Sequence, residues 1–496
     1  MPRPAAHYSS LSFTATSESV GPLDSDLERP RLSDLGKLFR RGVRGVVSAA
    51  RAADRVTLGA LLRDHLGAVV DELEVVEESW PGYDHVNVQA GLDAWLAEPG
   101  RDHRLVGVVN FRHHEFGLTE LLRATGVHSM HLPSAGNVSR LPLPSGPGGE
   151  TKPCVRCGLY LVEYGDQRVA LLLRGAEPDM GNTHVMLQVV AGQPAEAARA
   201  ATDIRELALV HNVYRGQLVS FGGQMFGERE TVLSFLPRPN LTAADVILPS
   251  DTLAAVERQV IGVAEHRQRL LDAGQHLKRG LLLYGPPGVG KTHTVRYLAS
   301  RLTGTTIVEL SGDSLALIEQ ACSIARTLQP SMVVVEDVDL IAEDRGRYPG
   351  QHPLLFQLLN QMDGLAEDAD VVFLLTTNRA DLLEPALASR PGRVDQAVEI
   401  QLPSADARRR LFALYRGALD VDESRLDGVI DRTDGVTASF LKELLRRAAV
   451  IAASDRTRSD GAPIRISAGQ LEAALDELLD TRNSMTRVLL GGRNDD

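Results

Sequence analysis

The sequence predicts an α/β protein: a parallel sheet covered by helices, built around a phosphate-binding loop, with a helical lid behind it and an α+β domain in front. Three observations carry this. After Asp245 short apolar runs alternate with helical stretches, in "GLLLYGPPGVGKTHTVRYLASRL", "TTIVEL", "MVVVED", "DVVFLLTTN" and "QAVEIQLP". That alternation marks a parallel sheet with helices on both faces. "GPPGVGKT", Gly285 to Thr292, satisfies G-x-x-x-x-G-K-[ST] between an apolar strand and a helix. From about Ala405 the patterns are helical, as in "ARRRLFALYRGAL" and "ASFLKELLRRAAVIAAS".

At 496 residues the chain exceeds one ordinary core. Residues 1–30 are rich in Ser, Pro and charge without periodicity, and are expected to be a disordered tail. Residues 31–238 form the predicted α+β adaptor or substrate domain. It is helical from about Arg31 to Trp80 and then strand-rich, through "LVGVVNF", "GLYLVEYG", "RVALLLRG" and "HVMLQVVAG". The prolines of "SFLPRPN" mark a linker. Residues 239–404 are the predicted sheet core, and 405–496 the helical lid and tail. A formal charge of -12 argues against a broad nucleic-acid surface. The amino terminus has no signal-peptide pattern, and no apolar run is long enough to span a bilayer. Three cysteines cannot make a disulfide framework. A cytoplasmic chain is the expectation, with no membrane.

The glycine-rich loop comprises Gly285, Pro286, Pro287, Gly288, Val289, Gly290, Lys291, Thr292 and, opening the helix, His293. Its glycines let backbone N–H groups converge on a phosphate, and the helix amino terminus favours the anion. Lys291 offers charge to the β and γ phosphates and Thr292 a hydroxyl to Mg²⁺, so ATP with Mg²⁺ is the expected cofactor pair. "MVVVEDVD" supplies the acids: Glu336 to organise Mg²⁺ through water and Asp337 to orient the attacking water, on a strand expected beside the loop. The usual order there is Asp then Glu. The exchange moves each carboxylate by about one methylene, which the water shell of Mg²⁺ can absorb. Asn378, closing "LLTTN" on a neighbouring strand, is placed to sense the γ-phosphate or the water. Arg390 and Arg393 in "SRPGR" lie too far along to serve their own subunit and suit arginine fingers acting on a neighbour's nucleotide.

These pieces, in this order, resemble the AAA family of ATPases, over about Asp245 to Leu479. The resemblance implies adenine contacts from Val246 and Ile247 in "DVIL", although the glycine pair common there is missing. It implies lid contacts near adenine and ribose from Gly435 and Ala438 in "DGVTASFLKELLRRAA". It also implies ATP hydrolysis in a homo-oligomeric ring, commonly a hexamer, coupled to remodelling of an unidentified protein substrate. The threading loop of many members is absent: 17 residues separate Gly312 from Pro330, none aromatic, leaving Tyr348 as the aromatic pore candidate. The short connection, the Glu-Asp order and "RPGRVD" are similar to the mitochondrial AAA translocase of the Rieske iron-sulfur protein, a branch in which reversed acids accompany hydrolysis. Transport across a bilayer does not carry over.

Weaker signals carry less. Cys154 and Cys157 of "CVRC", with His128 and His131 upstream, have admissible Cys₂His₂ spacing, but the cysteines run straight into a strand and packed thiols are expected. "FRHHEF" lacks a paired metal spacing. The reading is an ATP-hydrolysing ring protein. Two others compete: a nucleotide-gated scaffold with little turnover, and an ATPase acting on nucleic acid.

Overall fold

The computed structural model describes residues 57–67, 73–111, 116–123, 133–222, 232–340, 354–366, 368–381, 383, 394–454 and 464–480. The predicted tail, 1–30, lies outside them.

The first domain begins with α1 (Leu58–Leu66), capped by the Thr57 hydroxyl, which accepts from the Ala60 amide at 3.2 Å. Next come β1 (Val75–Pro81), α2 (His85–Leu96), β2 (Asp102–Val109), α3 (Leu118–Arg123), β3 (Ser134–Gly136), β4 (Arg140–Pro144) and β5 (Thr151–Val155). β6 (Cys157–Tyr164), β7 (Gln167–Arg174), β8 (His184–Ala191) and α4 (Pro194–Val210) complete it. β1 corrects the helical expectation up to Trp80: "VVEESWP" pairs antiparallel along β8, Val75 with Val190 through Pro81 with His184. Tertiary pairing of β-branched Val75 and Val76 overrides the local pattern. The resulting antiparallel sheet runs β1-β8-β7-β6-β2-β3, and β4 pairs with β5 as a separate hairpin.

Then come β9 (Leu218–Gly222), β10 (Val232–Phe235), α5 (Ser250–Glu257), α6 (Arg267–Asp272), β11 (Arg279–Tyr284), α7 (Lys291–Arg301) and β12 (Thr306–Leu310). They are followed by α8 (Ile318–Thr327), β13 (Ser331–Val335), α9 (Leu354–Asp363), β14 (Val371–Thr377) and β15 (Gln396–Glu399). The second sheet runs β10-β9-β12-β13-β14-β11-β15 and is parallel from β9 to β15. Its interior strands β13 and β14 are buried at every residue, which explains their unbroken apolar runs. Side chains alternate between two cores. Met332 and Val334 join Val295 and Leu298 of α7 on one face. Val333 and Val335 join Ile318 and Cys322 of α8 and Leu355 and Leu358 of α9 on the other.

The lid holds α10 (Ala405–Arg416), β16 (Asp420–Val421), α11 (Leu426–Arg432), α12 (Ala438–Ser454), β17 (Arg465–Ile466) and α13 (Ala468–Leu479). The parallel pair β16 and β17 is a small departure from the all-helical expectation. Ser404 caps α10, and a Ser467–Gln470 capping box starts α13.

The boundary expected near residue 239 falls inside the second sheet. β9 pairs in parallel with β12, and β10 pairs antiparallel on its outside. Val219, Phe221 and Leu233 share one core with Val308 and Leu310, joined by Val86, Cys154 and Tyr214 of the first domain. "SFLPRPN", the expected linker, carries a clamp. The Arg238 guanidinium donates to the carbonyls of Ala299 (2.6 Å), Leu302 (3.0 Å), Gly216 (3.0 Å) and Thr305 (2.9 Å). It thus ties the end of α7 and the entries to β9 and β12 to one side chain. Removing a charged donor from partly buried acceptors costs about 2 kcal/mol. Arg238→Ala is expected to lower stability by about that much, read from the shift in urea midpoint, and Arg238→Lys to recover little because an ammonium cannot span four acceptors. A midpoint unchanged in Arg238→Ala would show that the clamp contributes nothing.

Candidate functional site

The loop after β11 is shaped by glycines in backbone regions closed to other residues: φ is 146° at Gly285, 81° at Gly288 and 111° at Gly290. A Cβ on Gly285 would lie 2.2 Å from the Ile400 carbonyl oxygen. One on Gly288 would lie 2.9 Å from the Ser439 hydroxyl oxygen of the lid. α7 starts after Gly290 without a side-chain cap, so its first-turn N–H groups are available to an anion. Lys291 is 7% exposed. Its ammonium donates to the carbonyls of Gly285 (2.8 Å) and Pro286 (2.9 Å) and to Asn378 Oδ1 (2.8 Å). Burial lowers its pKa, opposed by the charges of Asp337 and Asp339. Thr292 stands exposed at the helix start.

Asn378 continues the chain: its Nδ2 donates to Asp337 Oδ1 at 3.2 Å. Lys291, Asn378 and Asp337 are therefore linked across the ends of β11, β14 and β13. The acid strand does not adjoin the loop strand as expected, because β14 lies between them. β14 also holds the acids in place. The Asp337 amide donates to the Thr376 hydroxyl at 3.2 Å, and Val338 N to the Thr376 carbonyl at 2.9 Å. Asp337 has φ 52°, a left-handed conformation rare for a residue with a side chain. Asp339 accepts from the Thr377 hydroxyl (2.8 Å) and the Asn378 amide (3.2 Å), and so fixes the asparagine.

Glu336 takes no part in that hydrogen-bonded chain. Its Oε1 is buried with no hydrogen-bond partner among the described residues. Its charge acts on Glu309 of β12, whose pKa is raised first by burial, then by Glu336, against the pull of Arg296. Glu309 escaped the sequence reading, as a single acid in an apolar strand carries no pattern. Ser439 escaped it too: its amide donates to the Gly288 carbonyl at 3.1 Å, and its hydroxyl does so at 3.3 Å. Only the position after Ala438 pointed to it.

The two residues of "DVIL" straddle two cores. Val246 is 3% exposed in the α7 core, while Ile247 packs on the lid core. His293 anchors the segment, with Nε2 at 2.9 Å from the Asp245 carbonyl oxygen. Gly435 has φ 73° in the turn before α12, and Ala438, which opens α12, is 6% exposed. Arg408 is buried and braces that turn through Asp434 (3.0 Å) and the Ile430 carbonyl (3.2 Å). Arg390, Arg393 and Tyr348 lie outside the described residues, as do His128 and His131. Cys154 and Cys157 are both buried, one in the core beneath α8 and the other in the core of α1 and α3, so their thiols do not converge. Burial pushes each thiol up to about 12.

Residues 281–402 match the family described as ATPase family associated with various cellular activities (AAA). An ATP-dependent zinc metalloprotease FtsH of Thermus thermophilus is 30% identical over 258 residues, 48% of this chain and 40% of that protein. FtsH 2 of Sphaerobacter thermophilus is 32% identical over 44% of this chain and 35% of its own length. The proteasome-activating nucleotidase of Pyrococcus horikoshii is 29% identical over 46% of this chain and 60% of its own. The chain thus spans less than two thirds of each of these relatives. Among the described residues no helix is long and apolar enough to cross a membrane. With a glycine-rich loop, an acid strand and an asparagine strand meeting at one end of a parallel sheet under a helical lid, the chain carries an AAA-family ATPase domain.

Proposed function

We propose that the protein binds ATP with Mg²⁺, hydrolyses it, and assembles with further copies of itself, commonly six in this family, into a ring that remodels a partner protein. The observation that carries this reading is the hydrogen-bonded chain Lys291–Asn378–Asp337 beside the uncapped start of α7. It holds a cation, an amide and a carboxylate together where phosphate transfer needs all three. The residues present fit the metal as well. The orphaned Glu336 Oε1 and the exposed Thr292 hydroxyl offer oxygen ligands to an ion that keeps most of its water shell. Bound, the nucleotide would supply the reacting phosphoryl group and Mg²⁺ the neutralising charge.

This chain's residues would then act as follows. Lys291 turns from the Gly285 and Pro286 carbonyls toward phosphate oxygens. Asp337 Oδ accepts the hydrogen bond of the attacking water, and Asn378 holds that water through its amide. Val246 and Ile247 flank the base, with Gly435 and Ala438 on the lid side, and Arg390 and Arg393 act on a neighbour's nucleotide. The relatives' names, a protease and a proteasome-activating nucleotidase, support a protein as the thing acted upon. A nucleotide-gated scaffold is the second reading, favoured by the reversed order of Glu336 and Asp337.

Asp337→Asn is expected to retain ATP binding and lose about 10²- to 10⁴-fold in turnover, the usual contribution of a positioned base. Lys291→Ala should lose binding together with turnover. Tight ATP binding by the unaltered protein, with turnover no higher than in Lys291→Ala, would overturn hydrolysis and favour the scaffold. Turnover per subunit should rise with protein concentration, and Arg393→Ala should cut it by about 10³-fold or more without weakening ATP binding. Turnover independent of concentration, together with an active Arg393→Ala, would exclude fingers acting between subunits.

A further inference from the structure

Between the first domain and α8 lies a cavity of about 350 Å³. One wall is Trp80, Tyr83 and Asp84 with Arg205 from α4; the other is Ser323 and Thr327 of α8. Its size is that of a small-molecule site. It lies on a different element from the phosphate loop, and no residue named in the nucleotide site lines it.

The charges in this cavity are unbalanced. Arg205 forms an ion pair with Glu78, outside the lining, and its guanidinium sits 5.6 Å from the Trp80 ring centroid. Asp84 has no such partner. It accepts a hydrogen bond from the Asn87 side-chain amide on Oδ1 at 2.9 Å, and no cation among the described residues pairs with it. Asn87 is itself held by the Val213 amide at 2.9 Å. The Tyr214 hydroxyl donates to the Tyr83 carbonyl at 2.7 Å, so the wall bearing Asp84 is stiff. Burial pushes the Asp84 carboxyl up to about 6, eased by the Asn87 hydrogen bond. A half-buried carboxylate without a cationic partner among the described residues is a costly arrangement for folding alone. It becomes favourable when a cation completes it.

We propose that this seam cavity binds a small organic cation, a primary amine or guanidinium group on a flat apolar body. The cation would pair with Asp84, and the flat body would stack against Trp80 and Tyr83. The Ser323 and Thr327 hydroxyls would supply polar contacts from α8. An anionic ligand fits less well, because the cavity's cation is already neutralised by Glu78.

The test uses the full chain without nucleotide, so its outcome is independent of the ATP reading. Phenethylamine, tryptamine and agmatine are titrated by calorimetry beside 2-phenylethanol, a neutral counterpart of the first. The two tryptophans are Trp80, in the cavity, and Trp95, buried in the first domain's core, so emission changes lost in Trp80→Phe report on the cavity. The proposal expects saturable binding of at least one amine and none of the alcohol. Asp84→Asn should weaken that binding by about tenfold or more while its thermal midpoint at pH 8 stays level or rises. Ser323→Phe should abolish binding with Asp84 intact by filling the opposite wall. Absence of saturable binding by all three amines, equal binding of the alcohol, or undiminished affinity in Asp84→Asn would each overturn it. A thermal midpoint that falls sharply in Asp84→Asn would assign the carboxylate to the fold and overturn its role as a ligand group.

Discussion

The site depends on the pairing of β14 in parallel on both of its edges. Against β11 the register sets Tyr284 beside Thr377, and against β13 it sets Val335 beside Leu375. In a parallel sheet a register fixes which chain ends are level. Here it brings the loop after Tyr284, the asparagine after Thr377 and the acids after Val335 to one rim. Slipping β14 by one residue would turn Phe373 and Leu374 to opposite cores and pull Asn378 off the line between Lys291 and Asp337. Hydrophobic burial along the strands therefore places polar groups that lie beyond their ends.

That rim is held in a closed arrangement. Lys291 gives its three donors to two loop carbonyls and an amide, and Ser439 gives two to Gly288. Asp337 keeps a backbone conformation that costs of the order of 1–3 kcal/mol in a residue with a side chain, and Thr376 supplies two of the bonds that hold it. Such strain is sustained only where neighbours over-determine it. Thr376, Thr377 and Asp339 are those neighbours, packed behind the groups that face solvent.

Much of this was legible in the sequence because it rests on local pattern. "GPPGVGKT" between strand and helix, "VVVED" and "LLTTN" each carry their chemistry within a few residues, and the rise from β-branched apolar runs to polar ends marks where each strand stops. What escaped the sequence rests on partner choice. Nothing in "LVSFG" says that it pairs with β12 rather than with the sheet of the first domain, and Pro237 and Pro239 look like punctuation whether or not an arginine between them is clamped by four carbonyls. "VVEESW" continues an apolar spacing from α1 that only pairing with β8 breaks. The divergence of Cys154 and Cys157 also rests on partner choice, since one lies on β5 of the hairpin and the other opens β6 of the six-stranded sheet. Strand order, with β14 between β11 and β13, is a tertiary outcome that no single segment encodes.

Because β9 is a strand of the second sheet, the first domain is coupled to it along a line of backbone bonds. The pairs Leu218–Ile307 to Ser220–Glu309 run parallel to the chain direction. A force drawing the first domain away along that axis loads those bonds together, in shear, which resists far better than peeling bonds one at a time. The load continues through β12 to β13 and its acids. A displacement of the first domain therefore meets hydrogen-bonded backbone on its way to the acids, not a free linker.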